Sequence, residues 1–200
     1  MAAPTKTTAR SLFALASNAA STITVGAPFD VSTLFEATVL VQFGRRVVTA
    51  AVATCNLRLE GSTSAYNTIS NWFPITTFST GFAVTTSQPV TTSSASGQSV
   101  VTMTTTTGMV VGDIVYIDNT TIGNSEWGRI KTVTAATSIT LEDNLLNTQA
   151  ATSVVYRAAE LFGINVNLAS VKQIRLVVDG SGFTMAHAVQ ATFSTLDTIA

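Results

Sequence analysis

Five short runs rich in β-branched and aromatic residues follow one another at 100–103, 114–117, 127–133, 138–141 and 154–157, each bounded by Gly, Asn, Asp or Thr. Runs of four to seven such residues between turn formers are strands, and five of them in about sixty residues is the spacing of a small closed barrel. The turn at 111–113 puts Gly112 where the backbone needs positive φ, and 119–126 forms a longer hairpin tip. Neither turn has the make-up of a phosphate loop.

The flanks of this stretch carry a second pattern. Val39, Val41 and Phe43 share one face of a strand, with Thr38 and Gln42 on the other, and Ala53, Cys55, Leu57 and Leu59 alternate with Thr54, Asn56, Arg58 and Glu60. Pro74 assigns the aromatic run around Trp72, Phe73, Ile75 and Phe78 to an edge strand. Beyond residue 160, Ile174, Leu176 and Val178 point one way; after the turn at 179–182, His187, Val189, Ala191 and Phe193 do the same, and the tail reads as two antiparallel strands of one sheet. The strands on either side are too few to stand alone, and together they make about seven. The expected fold is therefore all-β: an immunoglobulin-like or jelly-roll-like sandwich from 21–86 and 160–200, a linker at 87–98, and an inserted five-stranded barrel at 99–159.

Residues 1–20 are small and Ala-rich, and could form a helix or an extended arm. The expectation is an arm. Leu12, Phe13 and Leu15 are its only large apolar anchors, and their burial does not balance the cost of ordering the segment, so it should gain order on a neighbouring subunit.

Charged residues make up 10% of the 200, far below the roughly 25% of ordinary soluble domains, while 46% are hydrophobic. Ser and Thr must cover the surface, which suits a subunit packed among neighbours. A net charge of −1 with dispersed basic residues leaves no footprint for nucleic acid, and only Arg45 and Arg46 are adjacent. No run approaches the length of a membrane span or a signal core, and the single Cys55 implies no oxidising compartment; the expectation is a soluble cytosolic product with no membrane partner.

The residues for catalysis are sparse. His187 is the one imidazole and sits on an alternating strand, where it reads as a packed or interfacial histidine. One His and one Cys cannot make a zinc site, and no calcium loop occurs, so neither metal nor cofactor is expected. Asp113, Asp118, Glu126, Glu142 and Asp143 could supply a glycosidase pair, but each falls at or near a turn, where acidic residues provide hydrogen bonds and solvation. Trp72, Trp127, Tyr66 and Tyr116 could stack on sugar rings or serve as core and interface anchors. The expectation is a protein without catalytic residues, with Leu12, Phe13, Leu15, Trp72 and Trp127 as interface candidates.

The barrel stretch, "GMVVGDIVYID" followed by "SEWGRIKTVTAATSITLEDNLLNTQAATSVVYRAAE", resembles the small β-barrel modules of tailed-bacteriophage virion proteins. The flanks "CNLRLEGSTSAYNTISNWFPITTFST" and "VKQIRLVVDGSGFTMAHAVQATFSTLD" resemble the β-sandwich of phage structural proteins. The resemblance implies a virion structural protein, assembled in the host cytoplasm. Its role would be capsid decoration or cement, with the major capsid protein, other virion subunits and further copies of itself as partners. A tail, neck or receptor- or glycan-binding component is the alternative.

Overall fold

The computed structural model describes residues 5–6, 9–46, 54–64, 71–81, 86–157, 159–183 and 186–197. It is all-β. The first group of strands is β1 (Thr5–Lys6), β2 (Arg10–Asn18), β3 (Ile23–Val25), β4 (Phe29–Asp30), β5 (Glu36–Arg45), β6 (Asn56–Ser62) and β7 (Trp72–Ser79). Next come β8 (Ser87–Thr92), β9 (Val100–Met103), β10 (Ile114–Asp118), β11 (Glu126–Thr134), β12 (Ser138–Leu141) and β13 (Val154–Arg157), and the chain ends with β14 (Glu160–Asn167), β15 (Gln173–Asp179) and β16 (His187–Asp197). Among the described residues no helix is long and apolar enough to cross a membrane.

One sheet runs β1-β16-β5-β14, with β2 also paired to β16; the other runs β3-β15-β6-β7, with β4 also paired to β15. Alternation along the central strands turns Val39, Val41 and Phe43 of β5 and Val189, Ala191 and Phe193 of β16 inward from one side. From the other side come Leu57 and Leu59 of β6 and Ile174, Leu176 and Val178 of β15, and all join one core. Val39, Leu57 and Ile174 are each fully buried there. Burial of such a side chain contributes about 1.5–3 kcal/mol, so this shared core is what holds the two sheets face to face.

Strands β8 to β13 form a separate closed barrel, in the order β10-β11-β12-β9-β8-β13. Val90, Val101, Val115, Ile117, Ile130, Ile139 and Val155 fill it. Gly112 has φ +89, as its turn requires, and its N–H donates to the Ile130 carbonyl at 2.8 Å. The barrel is inserted between β7 and β14, which are edge strands on the same side of the two-sheet unit. Phe78 of β7 stacks on Phe162 of β14 with ring centroids 5.2 Å apart, so the chain leaves and re-enters at neighbouring points.

Four expectations need correction. Residues 10–18 are neither helix nor arm: they form β2, paired antiparallel with β16, and Leu12 and Phe13 lie in the shared core. The sheet of its own chain offers this segment, as a fifth strand, the backbone hydrogen bonds that help offset the cost of ordering it. The linker expected at 87–98 contains β8, which pairs with both β9 and β13. The barrel therefore has six strands, because five leave an open gap between β9 and β13. Finally, β15 and β16 are not partners in one sheet; β15 pairs with β6 and β16 with β5, so the two strands lie in opposite sheets. Ala53 and Tyr66 lie outside the described residues.

Candidate functional site

The burial pattern of β10 shows how the barrel meets the two-sheet unit. Val115, Tyr116 and Ile117 are all fully buried although they alternate in direction. Val115 and Ile117 point into the barrel, and Tyr116 points out of it into a second cluster with Ala159 and Ala188, flanked by Leu15, Ile114, Trp127 and Tyr156. A Cβ on Gly44 of β5 would lie 2.5 Å from Tyr116 Cγ, so only glycine admits the ring there. Burial pushes the Tyr116 hydroxyl well above its ordinary value, and that hydroxyl donates to Asp118 at 3.3 Å.

Two arginines at the end of β5 fasten the same junction. Arg46 pairs with Asp118 of the barrel at 2.9 Å and also donates to Ser17 of β2. Arg45 is fully buried, pairs with Glu160 at 3.2 Å, donates to the Gly81 carbonyl and lies over the Phe43 ring at 5.3 Å. The Glu160 carboxylate in turn accepts the Gly81 N–H at 2.8 Å. Gly81 precedes the barrel and Glu160 follows it, so one buried guanidinium ties together both ends of the insertion.

Beside the junction, Leu15 of β2, Gln42 of β5, Gln190 of β16 and Trp127, Leu146 and Asn147 of the barrel line a cleft of about 210 Å³. Trp127 packs against Tyr116 with ring centroids 4.8 Å apart, and its buried indole N–H has no acceptor among the described residues. Leu146 is 80% exposed. The loop that carries it is held from below by a buried polar network. Glu126 accepts the Leu146 N–H at 2.8 Å and the Asn147 N–H at 3.3 Å, and also binds Gln149, whose side chain accepts from Asn119 at 3.0 Å. A satisfied buried network of this kind makes a loop rigid, so Leu146 is presented in a fixed position.

Of the five interface candidates, Leu15 and Trp127 meet in this cleft, while Leu12 and Phe13 are core residues. Trp72 lies apart on β7, with the Arg175 guanidinium 4.1 Å above its ring and Arg175 paired to Glu60 at 2.7 Å. Two of the turn carboxylates have local partners, Asp113 pairing with Arg157 and Glu142 with Arg129 at 3.6 Å, and Asp143 is exposed. His187 is fully buried between the Phe43 and Phe183 rings, with Cys55 Sγ 4.0 Å from its Nε2. Burial pushes the Cys55 thiol up to about 12, so this pair presents no thiolate near neutrality. Among the described residues no group of three or more His, Cys, Asp or Glu side chains could hold a metal ion.

Gly44, Arg45, Arg46 and Leu146 were not among the expected site residues, and Tyr116, considered as a sugar-stacking or anchoring aromatic, serves as the anchor. The signal for the junction was present in the unbroken apolar run Ile114-Val115-Tyr116-Ile117, which marks a strand covered on both faces, and in two adjacent arginines ending an apolar strand. Nothing local marks Leu146.

No protein-family model matches the chain, and no curated protein matches it. A solved structure to which it is similar is that of the SPBc2 prophage-derived protein YomS, at 12% identity over 98% of this chain and 97% of that one, with a TM-score of 0.32. A likeness of that size carries no conclusion about fold or role.

Proposed function

We propose that the chain is a non-enzymatic structural protein of a bacteriophage virion, a decoration or cement protein that binds between the subunits of a capsid shell. The two-sheet unit then serves as an immunoglobulin-like or jelly-roll-like sandwich, with the barrel as a rigidly attached second contact module. The phage assignment comes from the sequence resemblance of the barrel and its flanks.

The observation that supports a shell role is the placement of charge. Most of the few charged side chains are used within the chain, in pairs such as Arg45–Glu160, Arg46–Asp118, Arg58–Asp179 and Arg175–Glu60. On the outer face of the first sheet, Thr38, Leu40, Gln42, Gln190 and Thr192 form an uncharged stretch that ends at Glu36, and Phe35, Leu146, Ile23 and Val25 are exposed apolar residues. A neutral surface studded with apolar side chains invites burial between neighbours. Symmetric repetition turns several modest contacts into high avidity.

A receptor- or glycan-binding tail or neck component is the second reading, favoured by the cleft in which Trp127 stands beside the Gln42, Gln190 and Asn147 amides. Mass spectrometry of purified particles, with gold-labelled antibody against this chain, separates the two. Labelling over the whole shell is expected; labelling confined to a tail tip would favour the second reading, and absence from purified particles would overturn both.

A further inference from the structure

We infer that β14 is the edge through which the chain pairs with a second copy of itself, in antiparallel register about a two-fold axis near Ile164. The inference deepens the virion reading by naming a self-association surface, and its physical argument is independent of where the assembly resides.

Open sheet edges are normally blunted by prolines, charges, bulges or short strands. Among the described residues, three of the four edge regions in the two sheets are treated in this way. β7 carries Pro74 and a register shift opposite Leu59 and Glu60. β1 and β2 carry Lys6, Arg10 and two register shifts against β16. β3 and β4 span three and two residues. The barrel is closed and has no edge. By contrast, β14 runs eight residues in unbroken register with β5, without Pro, Lys or Arg.

The Leu168 N–H donates to the Phe35 carbonyl, continuing the β14–β5 register, so residues 162, 164 and 166 also turn their N–H and C=O groups toward β5. Leu161, Gly163, Asn165 and Asn167 then turn theirs outward. Ala159 obeys the same parity: its N–H faces away from β5 and donates to Ile114 of the barrel. A two-fold axis at Ile164 sets Gly163 opposite Asn165 and Leu161 opposite Asn167 of the other copy. All four outward residues then lie in hydrogen-bonded pairs, and no like charges are opposed.

Two further features agree. Gly163 stands in mid-strand without positive φ, and a Cβ there would meet nothing within 4 Å, so the chain's own packing does not call for glycine. Glycine in a strand interior goes with a bulge, a tight bend or the close approach of a ligand or another backbone, and the unbroken β14–β5 register excludes the bulge. Phe162, Ile164 and Phe78 are only partly buried at this rim of the core, and pairing across β14 would cover them with their own counterparts.

Sedimentation velocity of the full chain tests the idea, together with amide hydrogen exchange. The wild type is expected to sediment as a dimer, with slow exchange at Leu161, Gly163, Asn165 and Asn167. Gly163→Lys places like charges beside the axis in open space, so it should weaken self-association about tenfold or more. Its unfolding midpoint should match the wild type's at concentrations low enough for both to be monomeric, since the dimer itself adds to apparent stability at higher ones. Val25→Lys, on the β3 edge, should leave the dimer intact. A monomeric wild type, or a Gly163→Lys dimer as tight as the wild type, would overturn the inference. None of these readouts requires a virus particle, so a monomeric wild type that still occupies the shell would refute the strand pairing and leave the virion reading standing.

Discussion

The ring of Tyr116 occupies the space that a side chain on Gly44 would need: a Cβ added there would lie 2.5 Å from Cγ and 2.7 Å from Cβ of the tyrosine. One contact between a missing side chain and a fully buried ring thus sets how closely the barrel approaches β5. Gly44→Ala should cost about 1–3 kcal/mol, the usual range for overpacking. Trp127 packs on Tyr116, so its fluorescence should report the change as well. Denaturant unfolding within about 0.5 kcal/mol of wild type, with an unshifted emission maximum, would mean that the two units do not bear on one another there.

Arg45 makes a different demand on the same junction. Its side chain is fully buried while Glu160 remains 26% exposed, so each substitution leaves a different group unpaired. Arg45→Ala leaves the Gly81 carbonyl without this donor and part of a carboxylate unpaired, and should cost about 3–5 kcal/mol. Glu160→Gln keeps an acceptor for the Gly81 N–H but leaves a fully buried guanidinium without its counter-charge, so it should also cost several kcal/mol, about 3 or more. A loss below about 1 kcal/mol for Glu160→Gln in thermal unfolding would show that the clamp is not organised around the buried guanidinium.

How far the sequence discloses this structure depends on whether burial follows a simple period. Val39, Leu57 and Ile174 could be assigned to one core because each lies in a strand that alternates cleanly, and Pro74 marked β7 as an edge because proline cannot donate into a ladder on both sides. β2 was hidden because two register shifts against β16 break its alternation, leaving Leu12 and Phe13 both buried although adjacent. β8 was hidden for a related reason: Val90 is its one inward apolar residue, it contains Pro89, and its pairing with β9 shifts after Val90. The cleft draws on β2, β5, β16 and the barrel, and no local pattern announces a meeting of elements so far apart in the chain.

The Cys55 thiol gives a pH signature. Its ordinary value of 9.0 rises to about 12, chiefly through burial, with the Asp179 charge adding and Arg45 opposing. The folded state holds this proton more tightly than the unfolded chain. The resulting stabilisation is fully present below pH 9 and is lost as pH rises from about 9 toward about 12, at about 1.4 kcal/mol per unit. Cys55→Ala should therefore show a shallower alkaline loss of stability than wild type. Parallel stability profiles for the two proteins above pH 9 would refute this, as would rapid alkylation of Cys55 in the folded protein.

Leu146 and Trp127 line the same cleft but should respond to substitution in opposite ways. Trp127 is partly buried and packed on Tyr116, so Trp127→Ala should destabilise the protein by about 2–3 kcal/mol, somewhat less than for a fully buried tryptophan. Leu146 is 80% exposed, and its backbone N–H, not its side chain, is what binds Glu126. Leu146→Ser should leave stability within about 0.5 kcal/mol of wild type. If a rigid loop holds Leu146 outward to be buried against a shell subunit, the serine variant should be outcompeted by wild type for sites on particles that lack the protein. Equal occupancy in that competition, with the fold intact, would remove Leu146 from the contact surface and direct the search to Phe35 and the β3 edge.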